Sequence, residues 1–181
     1  MNPQLRHQLD ALNADLRDLL KELKKYPESD LNRVPKPGAW TVLQVMHHLM
    51  LAERGSHQYV VKKLSFDPEL KNKSLASRFR ILLLDTYLRS PLKYKAPEAI
   101  GDKHLPAISS FWEVAKTWEG QREELAAYLA QLPTNYAHKE IYKHPFVGRL
   151  TLGQMLRFFQ SHFNRHRKQI RRALIFQPNA K

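Results

Sequence analysis

Thr151-Leu152-Gly153-Gln154-Met155-Leu156-Arg157-Phe158-Phe159-Gln160-Ser161-His162-Phe163-Asn164-Arg165-His166 is the stretch on which the reading of this chain turns. Thr151 is a residue type that caps helix N-termini, and it stands directly ahead of an apolar periodic run. Met155, Phe158, Phe159, His162, His166 and Ile170 then recur at threes and fours, the spacing of one helical face. A helix from Leu152 to about Phe176 is predicted. Two residues of its apolar face are histidines four apart, a spacing that puts their Cβ atoms about 5–6 Å from one another on one side. Two such imidazoles can reach a single metal ion. Spacing alone carries little, because nine histidines in 181 residues yield about half of one such pair by chance. A histidine on an apolar face is more often a satisfied core residue than a ligand. Burying either ring without a polar partner is nevertheless costly, which directs attention to what the other helices bring.

Upstream, Leu5, Leu9, Leu12, Leu16, Leu19, Leu20 and Leu23 mark a first amphipathic helix from about Pro3 to Lys25, stopped by Tyr26-Pro27. Pro35-Lys36-Pro37-Gly38 keeps the next loop extended. Thr41 is a plausible N-cap for a second helix through Val42, Val45, Met46, Leu49, Ala52, Tyr59, Val60 and Leu64, ended by Asp67-Pro68. It contains His47 and His48. Periodicity does not choose firmly between them, although His48 shares a stripe with Val45, Ala52, Gly55 and Tyr59, where small neighbours leave space beside the ring. Residues from about Ser74 to Leu88 form a shorter helical insertion, and 90–106, with three prolines and a glycine, reads as a surface excursion. A third main helix covers about Ala107 to Gln131, with Phe111, Ala115, Trp118, Leu125 and Leu129 on one stripe. Arg122 falls in that stripe, either as a packed stem with its head in water or as an anion-binding group facing a cavity. Pro133 to Leu150 reads as a loop holding His138 and His144. Four long amphipathic helices without a convincing strand predict an all-α fold, a four-helix bundle with an extra helical segment and a long loop between helices two and three. Such bundles build metal sites from side chains on facing helices.

Composition narrows the chemistry. The length suits a single domain spanning 1–181. The absence of cysteine excludes disulfides, thiolate ligands and a cysteine nucleophile. No signal-like N-terminal core or membrane-length apolar run is present, so a cytoplasmic protein without a membrane span is expected. A formal charge of +13 raises the question of nucleic acid. The basic residues are spread along the chain, however, and their densest cluster (Arg165, Arg167, Lys168, Arg171, Arg172) lacks the aromatic interleaving of nucleic-acid binders, which argues against that partner.

The run Gly38-Ala39-Trp40-Thr41-Val42-Leu43-Gln44-Val45-Met46-His47-His48-Leu49 resembles the second-helix signature of the DinB-like superfamily, especially its YfiT-type metal-dependent hydrolases. The later His144-Pro145-Phe146-Val147-Gly148-Arg149-Leu150-Thr151-Leu152, followed by His162-x-x-x-His166, is similar to the second half of that signature. Residues 66–106 match only in general helical character. The resemblance implies a four-helix bundle in which His48, His162 and His166 hold a divalent metal, zinc or nickel foremost, with His47 the lesser candidate. It also implies hydrolase or thiol-dependent S-transferase activity on a small-molecule substrate, with a low-molecular-weight thiol as possible co-substrate, and a homodimer is known among such proteins.

Three neutral imidazoles leave a coordination position open, the arrangement of catalytic rather than structural zinc. A metal-bound water or thiol would then be acidified into a nucleophile. The residues that would assist are less defined. His144 is a candidate proton donor or acceptor and Arg149, like Arg122, a candidate holder of an anionic substrate. Glu53, five residues past His48, is turned from it by about 140° and reads as an exposed or supporting carboxylate. The absence of an obvious acid/base pair keeps a second reading open, a non-catalytic four-helix metal-binding or interaction module with a basic surface.

Overall fold

The computed structural model describes residues 1–90 and 101–175. Four long helices form the body: α1 (Pro3–Leu23), α3 (Val42–Leu64), α5 (Phe111–Gln131) and α6 (Leu152–Ile175). A short α2 (Glu28–Leu31) follows α1, and α4 (Leu75–Arg89) is the insertion between α3 and α5. The fold is all-α in the sense expected, and the long helices begin and end within a few residues of the predicted limits. The long excursion expected over 90–106 lies mostly outside the described residues, as does the predicted helix end at 176.

The helix starts are written locally. Asn2 accepts a hydrogen bond from Gln4 N at 2.9 Å, with Pro3 in the first turn of α1. Thr41 Oγ1 accepts from Gln44 N while Gln44 Oε1 accepts from Thr41 N, a reciprocal cap that satisfies two otherwise orphaned donors. Thr151 and Gln154 repeat the arrangement at α6. The caps at Thr41 and Thr151 open the two helices that carry the candidate ligands.

The bundle is a ring in which α1 packs on α6 and α5, and α3 likewise packs on α6 and α5. In α1 the buried residues are Leu5, Leu9, Leu12, Leu16, Leu19 and Leu23, alternating fours and threes as a helix facing a core requires. The interior divides into two apolar clusters. Leu5, Leu9, Leu12, Leu125, Leu129, Met155 and Phe159 belong to one, and Leu16, Leu19, Leu23, Leu43, Met46, Trp118 and Phe163 to the other. On each long helix the boundary falls at a definite place, and Glu53, Arg122 and His162 sit there. Polar chemistry is therefore buried at the waist of the bundle.

Helix α4 lies outside the ring against α6. Ile81, Leu84 and Leu88 face inward, while Leu75, Phe79, Leu82 and Leu83 remain exposed. Asp85 Oδ2 accepts from Arg157 Nε at 2.5 Å and its Oδ1 from Ser161 Oγ at 2.8 Å, which ties α4 to the helix bearing the histidine pair.

Where a loop was expected between 133 and 150, the structure has a 3-10 turn (Thr134–His138) and an antiparallel hairpin of β1 (Glu140–His144) and β2 (Gly148–Thr151). The strands escape a periodicity search because a bulge between Glu140 and Tyr142 breaks the alternation, leaving three consecutive buried residues before Lys143. Gly148 has φ 84°, a left-handed conformation that glycine adopts without penalty at the end of the turn. The hairpin also packs on α3, α4 and α6, which fastens the segment holding His144 and Arg149 to the bundle.

Candidate metal centre

Helices α3 and α6 bring His48, His162 and His166 together. All three are buried, and one ligand atom from each lies within 4.8 Å of the others. His48 Nε2 and His162 Nε2 are 3.1 Å apart and share a hydrogen. The ring centroids are separated by 5.0 Å for His48 and His162, 4.8 Å for His48 and His166, and 4.6 Å for His162 and His166. Ligands about 2.0–2.1 Å from a tetrahedral zinc stand about 3.3–3.4 Å from each other, so the three donors need only small side-chain adjustments to share one ion. The donor set fits a divalent metal.

Protonation favours the same use. Burial, and then the neighbouring His166 and His48, holds the pKa of His162 well below its ordinary value. Burial, with His48 next, pushes His166 down to about 3. Near pH 7 both rings are neutral and can donate lone pairs. At His166 the tautomer is set as well: Nδ1 lies 2.8 Å from Gln169 Oε1, so Nδ1–H donates to the amide and Nε2 is left for the cluster. Sequence reading did not single out Gln169, although its position three residues past a candidate ligand on the same helix is a signal that could have found it. The Trp40 ring packs at 5.0 Å from His48 and covers it.

The choice between adjacent histidines is resolved by geometry. His47 Nε2 lies 2.8 Å from Ser109 Oγ, just before α5, and is not in the cluster. His144 is buried under the hairpin with its ring edge-on to Phe158 at 4.6 Å, and Phe158 in turn stacks on His162 at 5.3 Å. It stands beside the cluster without belonging to it. Phe146 N donates to His144 Nδ1 at 3.3 Å, so the neutral ring carries its proton on Nε2, and burial lowers the pKa to about 4. Arg149 lies on the exposed face of β2, while Leu150 and, across the ladder, His144 face inward. The structure therefore brings His144, and not Arg149, to the histidines.

Glu53 and Arg122 depart from expectation. Glu53 is 5% exposed and Arg122 3% exposed, and they pair through Arg122 Nε to Glu53 Oε2 at 2.9 Å and Arg122 Nη2 to Glu53 Oε1 at 2.8 Å. Trp118 Nε1 donates to Glu53 Oε2 at 2.8 Å, and Arg122 Nη1 donates to the Leu12 carbonyl. The guanidinium also lies over the rings of Trp118 and Phe163. The arginine head reaches neither water nor a free anion; it links α1, α3 and α5 at the waist of the bundle. The 140° turn that takes Glu53 away from His48's face does not expose it, because α3 is covered by α6 on one side and α5 on the other.

The family model of the DinB superfamily matches residues 8–170. This chain belongs to the DinB superfamily. No curated protein and no solved structure matches it. Among the described residues, no helix is long and apolar enough to cross a membrane.

Proposed function

We propose that this chain is a metal-dependent enzyme, a hydrolase or thiol-dependent S-transferase, in which His48, His162 and His166 hold one divalent ion, zinc or nickel, with a coordination position open to a small-molecule substrate. The observation that carries the reading is the convergence of three buried imidazoles from α3 and α6, two of them kept neutral by burial and one oriented by Gln169. Bound by these three residues, a divalent ion would supply Lewis acidity, lowering the pKa of a water or thiol and polarising the substrate. The chain's own residues supply the rest. Gln169 keeps the proton on His166 Nδ1, Trp40 and Phe158 exclude water from two sides of the cluster, and His144, its ring held neutral, offers a hydrogen bond from Nε2–H. In the transferase case a low-molecular-weight thiol is the second substrate.

One observation favours a non-catalytic metal-binding or interaction module instead. Glu53, the carboxylate nearest His48 in the chain sequence of α3, is wholly committed to Arg122 and Trp118 and cannot serve as a general base. The discriminating experiment is a screen of thiol transfer and of ester and amide hydrolysis, with and without chelator. Chelator-sensitive turnover supports the enzyme. Bound metal without turnover in any of these reactions supports the module.

A further inference from the structure

The outer face of the hairpin carries chemistry that the metal centre does not use. A cavity of about 460 Å³ opens there, lined by Lys71, Ser74, Arg80, Glu140, Lys143 and Arg149. Its construction is deliberate at the backbone level. Glu140 N donates to the Lys71 carbonyl at 2.9 Å and Lys73 N to the His138 carbonyl at 2.8 Å, which zips the 71–73 segment alongside β1 and delivers Lys71 to the rim. Lys143 and Arg149 are direct cross-strand partners, both exposed. Like charges placed opposite one another weaken a ladder.

Only one carboxylate is present, and it is already occupied. Glu140 Oε1 accepts from Ser74 N at 3.0 Å and Ser74 Oγ at 2.6 Å, and Oε2 faces Arg80 Nη1 at 3.9 Å. Four cations against one carboxylate leave a formal surplus of three positive charges around the cavity. Lys71, Lys143 and Arg149 have no carboxylate partner among the described residues. On α6, by comparison, two cations are answered: Arg167 faces Asp15 and Glu22 at 3.6 Å and Arg171 meets Glu22 at 3.2 Å. Ser74, the N-cap of α4, belongs to the cavity lining, so the positive end of that helix dipole lies at its edge.

We propose that this pocket is an anion site for a small ligand bearing phosphate groups. Its size falls in the ~300–1,000 Å³ range of small-molecule sites. Arg80 and Arg149 provide planar forks suited to phosphate oxygens, and the two lysines provide point charges. The cations close around a concavity rather than run along a track, and the cavity lining has no aromatic platform for bases, which favours a small phosphate over a nucleic acid. The site stands independently of the metal centre, from which the hairpin separates it.

The test is isothermal titration of the full chain with pyrophosphate, before and after chelator treatment. Saturable binding at one site, equal in both preparations, is expected, with affinity reduced at least tenfold in Arg149→Gln and in Lys143→Gln and unchanged in Lys168→Gln. Folding of the variants is checked by thermal unfolding without anion, where Lys143→Gln should melt at or above the parent because a like-charge pair is removed. Absence of saturable binding overturns the proposal, as does binding that disappears with the metal. Equal weakening by Lys168→Gln, or tighter binding of a single-stranded oligonucleotide that Lys168→Gln weakens as much as Arg149→Gln does, also overturns it.

Discussion

Replacing Arg122 with Met keeps most of the side-chain volume and removes the charge, leaving Glu53 as a carboxylate buried to 5% exposure. Of the three hydrogen bonds that Glu53 accepts, two come from Arg122 and are lost, with Trp118 Nε1 the surviving donor. The Leu12 carbonyl loses its side-chain donor too. Breaking a buried pair by removing one partner costs about 3–5 kcal/mol, because the other charge is left uncompensated. For a chain of this size each kcal/mol is worth about 2–4 °C, so the melting point should fall by about 6–20 °C. Urea unfolding followed by circular dichroism gives the free energy, provided the slope with denaturant is unchanged. The double variant Glu53→Leu/Arg122→Met removes both charges and should be much less destabilised than the two single losses summed, with a coupling of at least about 2 kcal/mol. A loss below about 1 kcal/mol in Arg122→Met, or additive single effects, would refute the account of the waist as a charge pair held by burial.

Three further outcomes follow from the same geometry. Gln169→Leu removes the acceptor that orients His166 and should weaken metal binding about 10–100-fold in a competition with a chelator, with little change in fold; unaltered affinity would show that the amide contact is incidental. In metal-free protein, His144 and His166 have folded pKa values near about 4 and about 3, against an ordinary 6.5, because of burial. The folded state thus binds fewer protons than the unfolded one, and stability is complete above about pH 6.5 and lost as pH falls toward those values. Each of these histidines should remove about 2 kcal/mol between pH 7 and pH 5, and His144→Phe should flatten that fall in urea unfolding across the range. Gly148→Ala forces a β-carbon into φ 84° and should cost about 1 kcal/mol or more without moving the histidine cluster.

The long helices were legible because each writes its own boundaries and inner face. Leu5 to Leu23 and Met155 to Ile170 show helical spacing openly, and Thr41 and Thr151 stand where caps are needed. The histidine cluster was legible in two parts: the 162/166 pair from spacing, and His48 over His47 from the resemblance, which the position of His47 beside Ser109 supports. What stayed hidden depends on partners distant in sequence. Arg122 and Glu53 are 69 residues apart, and nothing local says that α5 covers the side of α3 left free by α6. The hairpin stayed hidden because its bulge erases the period-two pattern, and α2 because four residues are too few to show any period. The pocket of Lys71, Arg80, Lys143 and Arg149 needs both the hairpin register and the zipped 71–73 segment, so its residues looked like scattered surface charge.

The most direct test of the metal centre is elemental analysis of untreated protein and of its His162→Ala, His166→Ala and His47→Ala variants. The account predicts close to one divalent ion per chain in the parent and in His47→Ala, and background levels in the other two, each of which remains folded by circular dichroism. Undiminished metal in both His162→Ala and His166→Ala would contradict it.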